Sequence, residues 1–103
     1  RVTELNSASP VLIDVTHAGI GAASRAFEAA FGAAPLLQRE GATVPVTIDF
    51  QEALHTGLIV TGFGLPGDGL HSPNERFSLD QYHRGTEMVI RLCSELAEVH
   101  ARA

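Results

Sequence analysis

The stretch Leu58-Ile59-Val60-Thr61-Gly62-Phe63, opening into Gly64-Leu65-Pro66-Gly67-Asp68-Gly69-Leu70-His71-Ser72-Pro73-Asn74-Glu75, decides how the chain reads. Its first part is a β-rich apolar run bracketed by glycines, the pattern of a parallel strand covered on both faces. The run is far too short to cross a bilayer. Its second part is dense in glycine and proline and reads as a loop as far as Phe77. In open α/β sheets ligands gather just past the carboxyl ends of strands, on loops that a rigid scaffold holds.

Working outward, Ser78 with Gln81 three residues later forms a capping box. Leu79, Tyr82, Val89, Leu92, Cys93 and Leu96 then supply the apolar stripe of a long closing helix, with Cys93 expected to pack inside. Upstream, Ile20, Ala23, Phe27, Ala30 and Phe31 recur at helical spacing and predict a helix over His17 to Phe31. Gly32 stands at the natural stop, and Pro35 blocks a restart. Val44 to Leu54 carries mixed signals. Val46, Thr47, Ile48 and Phe50 favour strand by type, whereas Pro45 ahead of Asp49-Phe50-Gln51-Glu52-Ala53-Leu54 favours a helix with proline in its first turn; helix is the reading adopted. Arg1 to Leu5, Val11 to Ile13 and Pro35 to Arg39 read as short strands. Strand, helix, strand, helix, strand, loop, helix implies an α/β class: a fragment of a layered mixed sheet with flanking helices.

The chain has 103 residues, room for one domain at most. With 45% hydrophobic and 18% charged residues it is too apolar for disorder. The net charge is −5, every strong base is an arginine, and no basic stripe is visible, which argues against nucleic acid as a partner. No stretch is long enough for a membrane span, and Arg1 to Pro10 lacks the order of a secretion signal. The lone Cys93 cannot form an internal disulfide, which suits a reducing cytoplasm.

Two stretches offer chemistry. In the first, His71 is a candidate metal ligand, neutral imidazole being the commonest one, with Asp68 and Glu75 available to orient it or add charge. An exposed loop histidine beside a capped helix accounts for the same residues, because a zinc site needs three or four ligands and no second histidine lies at i+2 or i+4. In the second, Arg39-Glu40-Gly41-Ala42-Thr43, small residues let a backbone approach a ligand, with amides and the Thr43 hydroxyl free to donate to a carboxylate. A tight turn with Thr43 as the N-cap of the next helix explains it equally simply. His83 and His100 fall on the last helix, His55 at a turn, and His17 before a helix in a structural place. Asp49 and Glu52 read as a solvated helical face. Without a Gly-x-Ser-x-Gly elbow, Ser72 beside His71 is not a triad.

In order along the chain, Phe31-Gly32 with Pro35, Arg39-Glu40-Gly41-Ala42-Thr43-Val44-Pro45-Val46, Phe50-Gln51-Glu52-Ala53, Gly62-Phe63-Gly64, Asp68-Gly69-Leu70-His71-Ser72-Pro73-Asn74-Glu75 and Gly85 resemble the C-terminal third of the catalytic domain of M20-type metallopeptidases, in the carnosinase and dipeptidase branch. The resemblance implies that His71 is a ligand of one of two neighbouring zinc ions. It implies that Glu40, Gly41 and Thr43 hold the ends of a substrate, with Thr43 near its carboxylate. Ala42 stands where that family has a second glycine; if the position needs positive φ, alanine strains it. The remaining ligands, the bridging aspartate and the catalytic glutamate belong to the upstream part of such a domain, so no catalytic residue is expected within this chain.

The resemblance further implies an intact parent that cleaves peptide or N-acyl amino acid amide bonds with two zinc ions, cobalt or manganese being acceptable to a histidine. Dipeptidase, deacetylase, desuccinylase and aminoacylase substrates all stay open. Residues 1–14 would end the inserted dimerisation domain and cross back, and residues 15–103 would form the C-terminal part of the catalytic domain. The partners are then the rest of that domain, a small peptide or N-acyl amino acid, and a second copy in a homodimer. The alternative is a non-catalytic binding or assembly module derived from the same fold.

Overall fold

The computed structural model describes residues 1–5, 7, 9–40 and 44–102. Three helices carry it: α1 (Ala18–Phe31), α2 (Val46–Leu54) and α3 (Leu79–Arg102), with one 3-10 turn at Pro66–Asp68 between the second and third.

Each helix starts and stops for a local reason. Ahead of α1, the Asp14 carboxylate accepts from the Thr16 amide at 2.9 Å and its hydroxyl at 2.6 Å. These two bonds, the hydroxyl's first, hold the carboxyl below its ordinary range, with a smaller pull from His17. His17 is the N-cap; its Nδ1 accepts from the Gly19 amide at 3.1 Å, satisfying one of the helix's orphan donors. At the other end Gly32 turns left-handed at φ 78°, and its amide closes on the Glu28 carbonyl at 2.8 Å. α3 opens with Ser78 Oγ accepting from the Gln81 amide at 3.4 Å. Acid-to-arginine pairs at i,i+4 then run along it: Asp80–Arg84, Glu87–Arg91 and Glu98–Arg102. The acid lies N-terminal in each, the orientation that supports a helix by a few tenths of a kcal/mol.

α1 packs on α3. Gly19, Ala22, Ala23 and Ala26 are the buried side of the first, Gly85 and Met88 of the second. Small residues bring the axes close, and Met88, 1% exposed, fills what remains between them. Arg25 and Glu95 pair across the join at 2.7 Å, though both are too exposed for that to add much. Phe63 lies against this seam. Its ring stacks on Phe31 at 5.8 Å and Phe27 at 6.3 Å between centroids, while Phe27 and Phe31 stack at 4.3 Å. Ile59 and Leu92 complete the cluster. A Cβ at Gly85 would sit 2.5 Å from Phe63 Cδ2, so the ring occupies the space a side chain would take.

All three helices fall where the sequence places them, within two residues at their starts. α2 begins with Pro45 at its N-cap; Thr43, expected in that role, lies outside the described residues.

Two expectations are met only in part. The layered sheet is not confirmed: among the described residues none is in a strand. A strand exists by hydrogen-bonding to a neighbour, and the backbone of residues 58–63 makes no such bond to another described residue. The run instead crosses the α1–α3 seam, with Ile59 and Phe63 against the core and Val60 exposed. Leu36, expected in a strand, is 91% exposed. The second concerns α3. Its packed stripe is Gly85, Met88 and Leu92, whereas Leu79, Tyr82, Val89, Cys93 and Leu96 face solvent. α3 has apolar residues on two adjacent faces, and α1 covers one. Along the uncovered face an apolar groove of about 340 Å³ runs between Phe63, Phe77, Tyr82, Val89 and Ile90. The chain is correspondingly spread out, with a radius of gyration of 16.1 Å, against about 13 Å for a compact domain of this length.

Gly85→Ala tests the seam. Alanine favours a helix over glycine by up to about 1 kcal/mol, but here its methyl group meets a packed ring. The net expectation is a loss of roughly 1–3 kcal/mol in urea unfolding. Gly62→Ala, whose Cβ would meet nothing within 4 Å, should stay within about 0.5 kcal/mol of the parent.

Candidate functional site

The loop from Leu65 to Arg76 is built around one buried carboxylate. Pro66 begins the 3-10 turn. Asp68, three residues past Leu65, sends Oδ2 back to accept from the Leu65 amide at 2.7 Å. Its own amide donates to the Leu65 carbonyl at 3.0 Å, and its carbonyl accepts from the Arg76 amide at 2.9 Å, closing the loop. At 3% exposure Asp68 is the most deeply buried ionisable side chain described. A charge withdrawn from water needs such hydrogen bonds to be tolerated.

Beyond Asp68 the chain turns by repeated use of the left-handed region. Gly69 has φ 67°, His71 58° and Asn74 62°. Glycine adopts this at no steric cost and asparagine at a small one, whereas for histidine it costs on the order of 1 kcal/mol. The Gly69 carbonyl accepts from both the Ser72 amide at 3.1 Å and the Ser72 hydroxyl at 2.5 Å, and the Ser72 carbonyl accepts from the Glu75 amide at 3.3 Å. The result is a stiff loop with His71 at an exposed, strained position. No hydrogen bond engages the exposed imidazole among the described residues. Strain held by surrounding structure is characteristic of functional positions.

Several expectations are refined. Asp68 does not orient His71; its carboxylate is committed to the loop's own backbone. Glu75 is exposed and available as charge. Among the described residues no group of three or more His, Cys, Asp or Glu could enclose a metal ion. His71 by itself therefore makes no metal site with the described residues. Glu40 is exposed and accepts from the Gln38 side-chain amide. Gly41, Ala42 and Thr43 lie outside the described residues. Of the other histidines, His17 caps α1 through Nδ1 and His83 meets Tyr82 edge-on, whereas His55, which ends α2 at φ 49°, and His100, in the last turn of α3, are exposed and make no side-chain hydrogen bond among the described residues. Asp68's locking role was overlooked in the sequence, although a carboxylate three residues past the start of a Pro-initiated turn is a capping signal. Among the described residues no helix is long and apolar enough to cross a membrane.

Comparison with known proteins gives this loop its context. Residues 1–95 match the peptidase family M20/M25/M40. The chain is 35% identical over 79 residues to the Beta-Ala-His dipeptidase of Homo sapiens, covering 77% of this chain and 16% of that protein. It is 34% identical over 86 residues to the Cys-Gly metallodipeptidase of Schizosaccharomyces pombe, covering 84% and 18%. With the Cys-Gly metallodipeptidase of Saccharomyces cerevisiae it shares 35% over 72 residues, covering 70% and 15%. The chain thus spans less than a fifth of the length of these relatives. A family match over 95 residues and three metal- or dipeptide-named relatives above 30% identity agree: the chain belongs to the M20/M25/M40 peptidase family, on its dipeptidase side.

Proposed function

We propose that this chain is the C-terminal part of a di-zinc hydrolase that cleaves peptide or N-acyl amino acid amide bonds, and that His71 is one of its metal ligands. The observation that carries the reading is the exposed imidazole on a loop locked by Asp68, held at φ 58° and without a hydrogen-bond partner among the described residues. A ligand must be held in place but left free to donate a lone pair, and the Asp68 lock does the holding. Zinc is the expected metal, two ions per site, with cobalt or manganese able to replace it. When bound, the metal pair supplies Lewis-acid polarisation of the scissile carbonyl and a nucleophile at neutral pH. Within this chain, Glu40, Gly41 and Thr43 would hold the ends of the substrate. No catalytic acid or base is assigned to it, and the 103 residues alone should be inactive.

The rest of the reading follows. Residues 1–14 would be the end of an inserted dimerisation domain with its return crossing, and residues 15–103 the last part of the catalytic domain, in a homodimeric cytoplasmic enzyme. The backbone of residues 58–63, which makes no hydrogen bond to another described residue, and the exposed Leu36 and Val60 are consistent with a layered α/β sheet completed by strands from elsewhere in the parent.

The test is a chimera in which this chain replaces the matching stretch of the Schizosaccharomyces pombe Cys-Gly metallodipeptidase. Metal-dependent hydrolysis of a Cys-Gly dipeptide is expected. Within it, His71→Ala should lower kcat/KM by about 100-fold or more, at or beyond the upper limit seen for outer-shell groups, and should reduce bound metal. An active chimera indifferent to His71→Ala would refute the assignment. In the same chimera Asp68→Ala removes the loop's anchor while leaving every proposed ligand. A loss of roughly 10- to 100-fold with partial metal occupancy is expected, and circular dichroism should show the helices intact.

A further inference from the structure

We propose that His17 is a protonation-sensitive latch fastening the start of α1 to residues 57–59. The imidazole is held on two sides. On one, Nδ1 accepts from the Gly19 amide at 3.1 Å. On the other, the ring lies on bare backbone at Gly57, where a Cβ would stand 2.8 Å from both Cδ2 and Nε2. A Cβ at Gly19 would also crowd the ring, at 3.0 Å from Nδ1, and would meet Ile59 Cδ1 at 3.3 Å. Glycine at both positions makes room for one flat ring between a helix N-terminus and the segment that leads to Phe63.

This arrangement requires a neutral imidazole, because a protonated Nδ1 is a donor facing another donor. Protonation would also put positive charge at the positive end of the helix dipole, and α1 has no acidic residue in its first turn to offset it. Among the described residues no salt bridge or side-chain hydrogen bond joins the ring to an ionisable group of α3 or to His55, two residues before Gly57. Asp14, just upstream, attracts the protonated form. Gly57, Leu58 and Ile59, and the α1 residues Ala18 to Ala23, carry no titratable side chain. Asp14 is itself held below the ordinary carboxylate range by Thr16, so it stays ionised between pH 8 and 5 and does not change the balance there. The latch is therefore closed while Nδ1 is free to accept and opens when the ring takes a proton there.

Far-ultraviolet circular dichroism of the 103-residue chain at pH 8 and pH 5 tests this. The parent should lose helical signal on acidification, by up to the fourteen residues of α1. His17→Asn, which keeps a good N-cap without a titrating group at that position, should lose clearly less signal than the parent between the two pH values. The other four histidines remain in that variant, so their contribution cancels. Gly57→Ala should lower the signal at pH 8 by displacing the ring. Nitrogen-15 spectra at pH 8 should place the His17 proton on Nε2. A parent signal flat between the two pH values, an equal acid loss in His17→Asn, an unaffected Gly57→Ala, or a proton on Nδ1 would each overturn the latch.

Discussion

The ring of Phe63 lies so close to the backbone of α3 that only glycine stands comfortably at position 85, and from that seat it stacks on Phe27 and Phe31 of α1. Both long helices and the segment between them meet at this one aromatic face. Because Phe63 leads directly into Gly64 and the Asp68 turn, the ring fixes where the His71 loop departs from the body of the chain. Remove the contact and the loop keeps its internal bonds but loses its address.

Downstream of that anchor, control passes from packing to hydrogen bonding. Asp68 gives up water and gains the Leu65 amide; its backbone joins Leu65 to Arg76. The energy so gathered holds His71 in a conformation histidine seldom adopts. Locking and display are divided between two side chains three residues apart. Charge is buried where rigidity is needed, and the imidazole is left unencumbered where a lone pair is needed.

The helices were legible because their signals are local. The repeat of Phe27, Ala30 and Phe31, the stop at Gly32 and the Ser78 cap each act within a turn or two. Val46–Leu54 resolved as helix despite its β-branched residues because Pro45 and the polar Asp49-Gln51-Glu52 series suit a short surface helix. Strands are less legible for the opposite reason. Leu58–Phe63 has the composition of a buried strand, but whether it becomes one depends on partners far away in sequence, which no local pattern reveals. The same logic explains α3: periodicity found an apolar stripe but could not say which of two adjacent faces α1 would cover, and the small Gly85 and flexible Met88 fitted better than bulky Tyr82 and Val89. His71 was legible as a loop residue, its metal role only through the resemblance. His17 and Asp68 hid because capping by a ring nitrogen and by a loop carboxylate leaves little trace in composition.

The uncovered faces have a thermodynamic consequence. The chain exposes 8236 Å², whereas a compact protein of its size would expose about 5,600 Å². Unfolding can therefore newly hydrate only a modest apolar area, and the heat-capacity increment, which scales with that area, must be small. A small increment flattens the curve of stability against temperature, so the stability of this chain changes little over the physiological range.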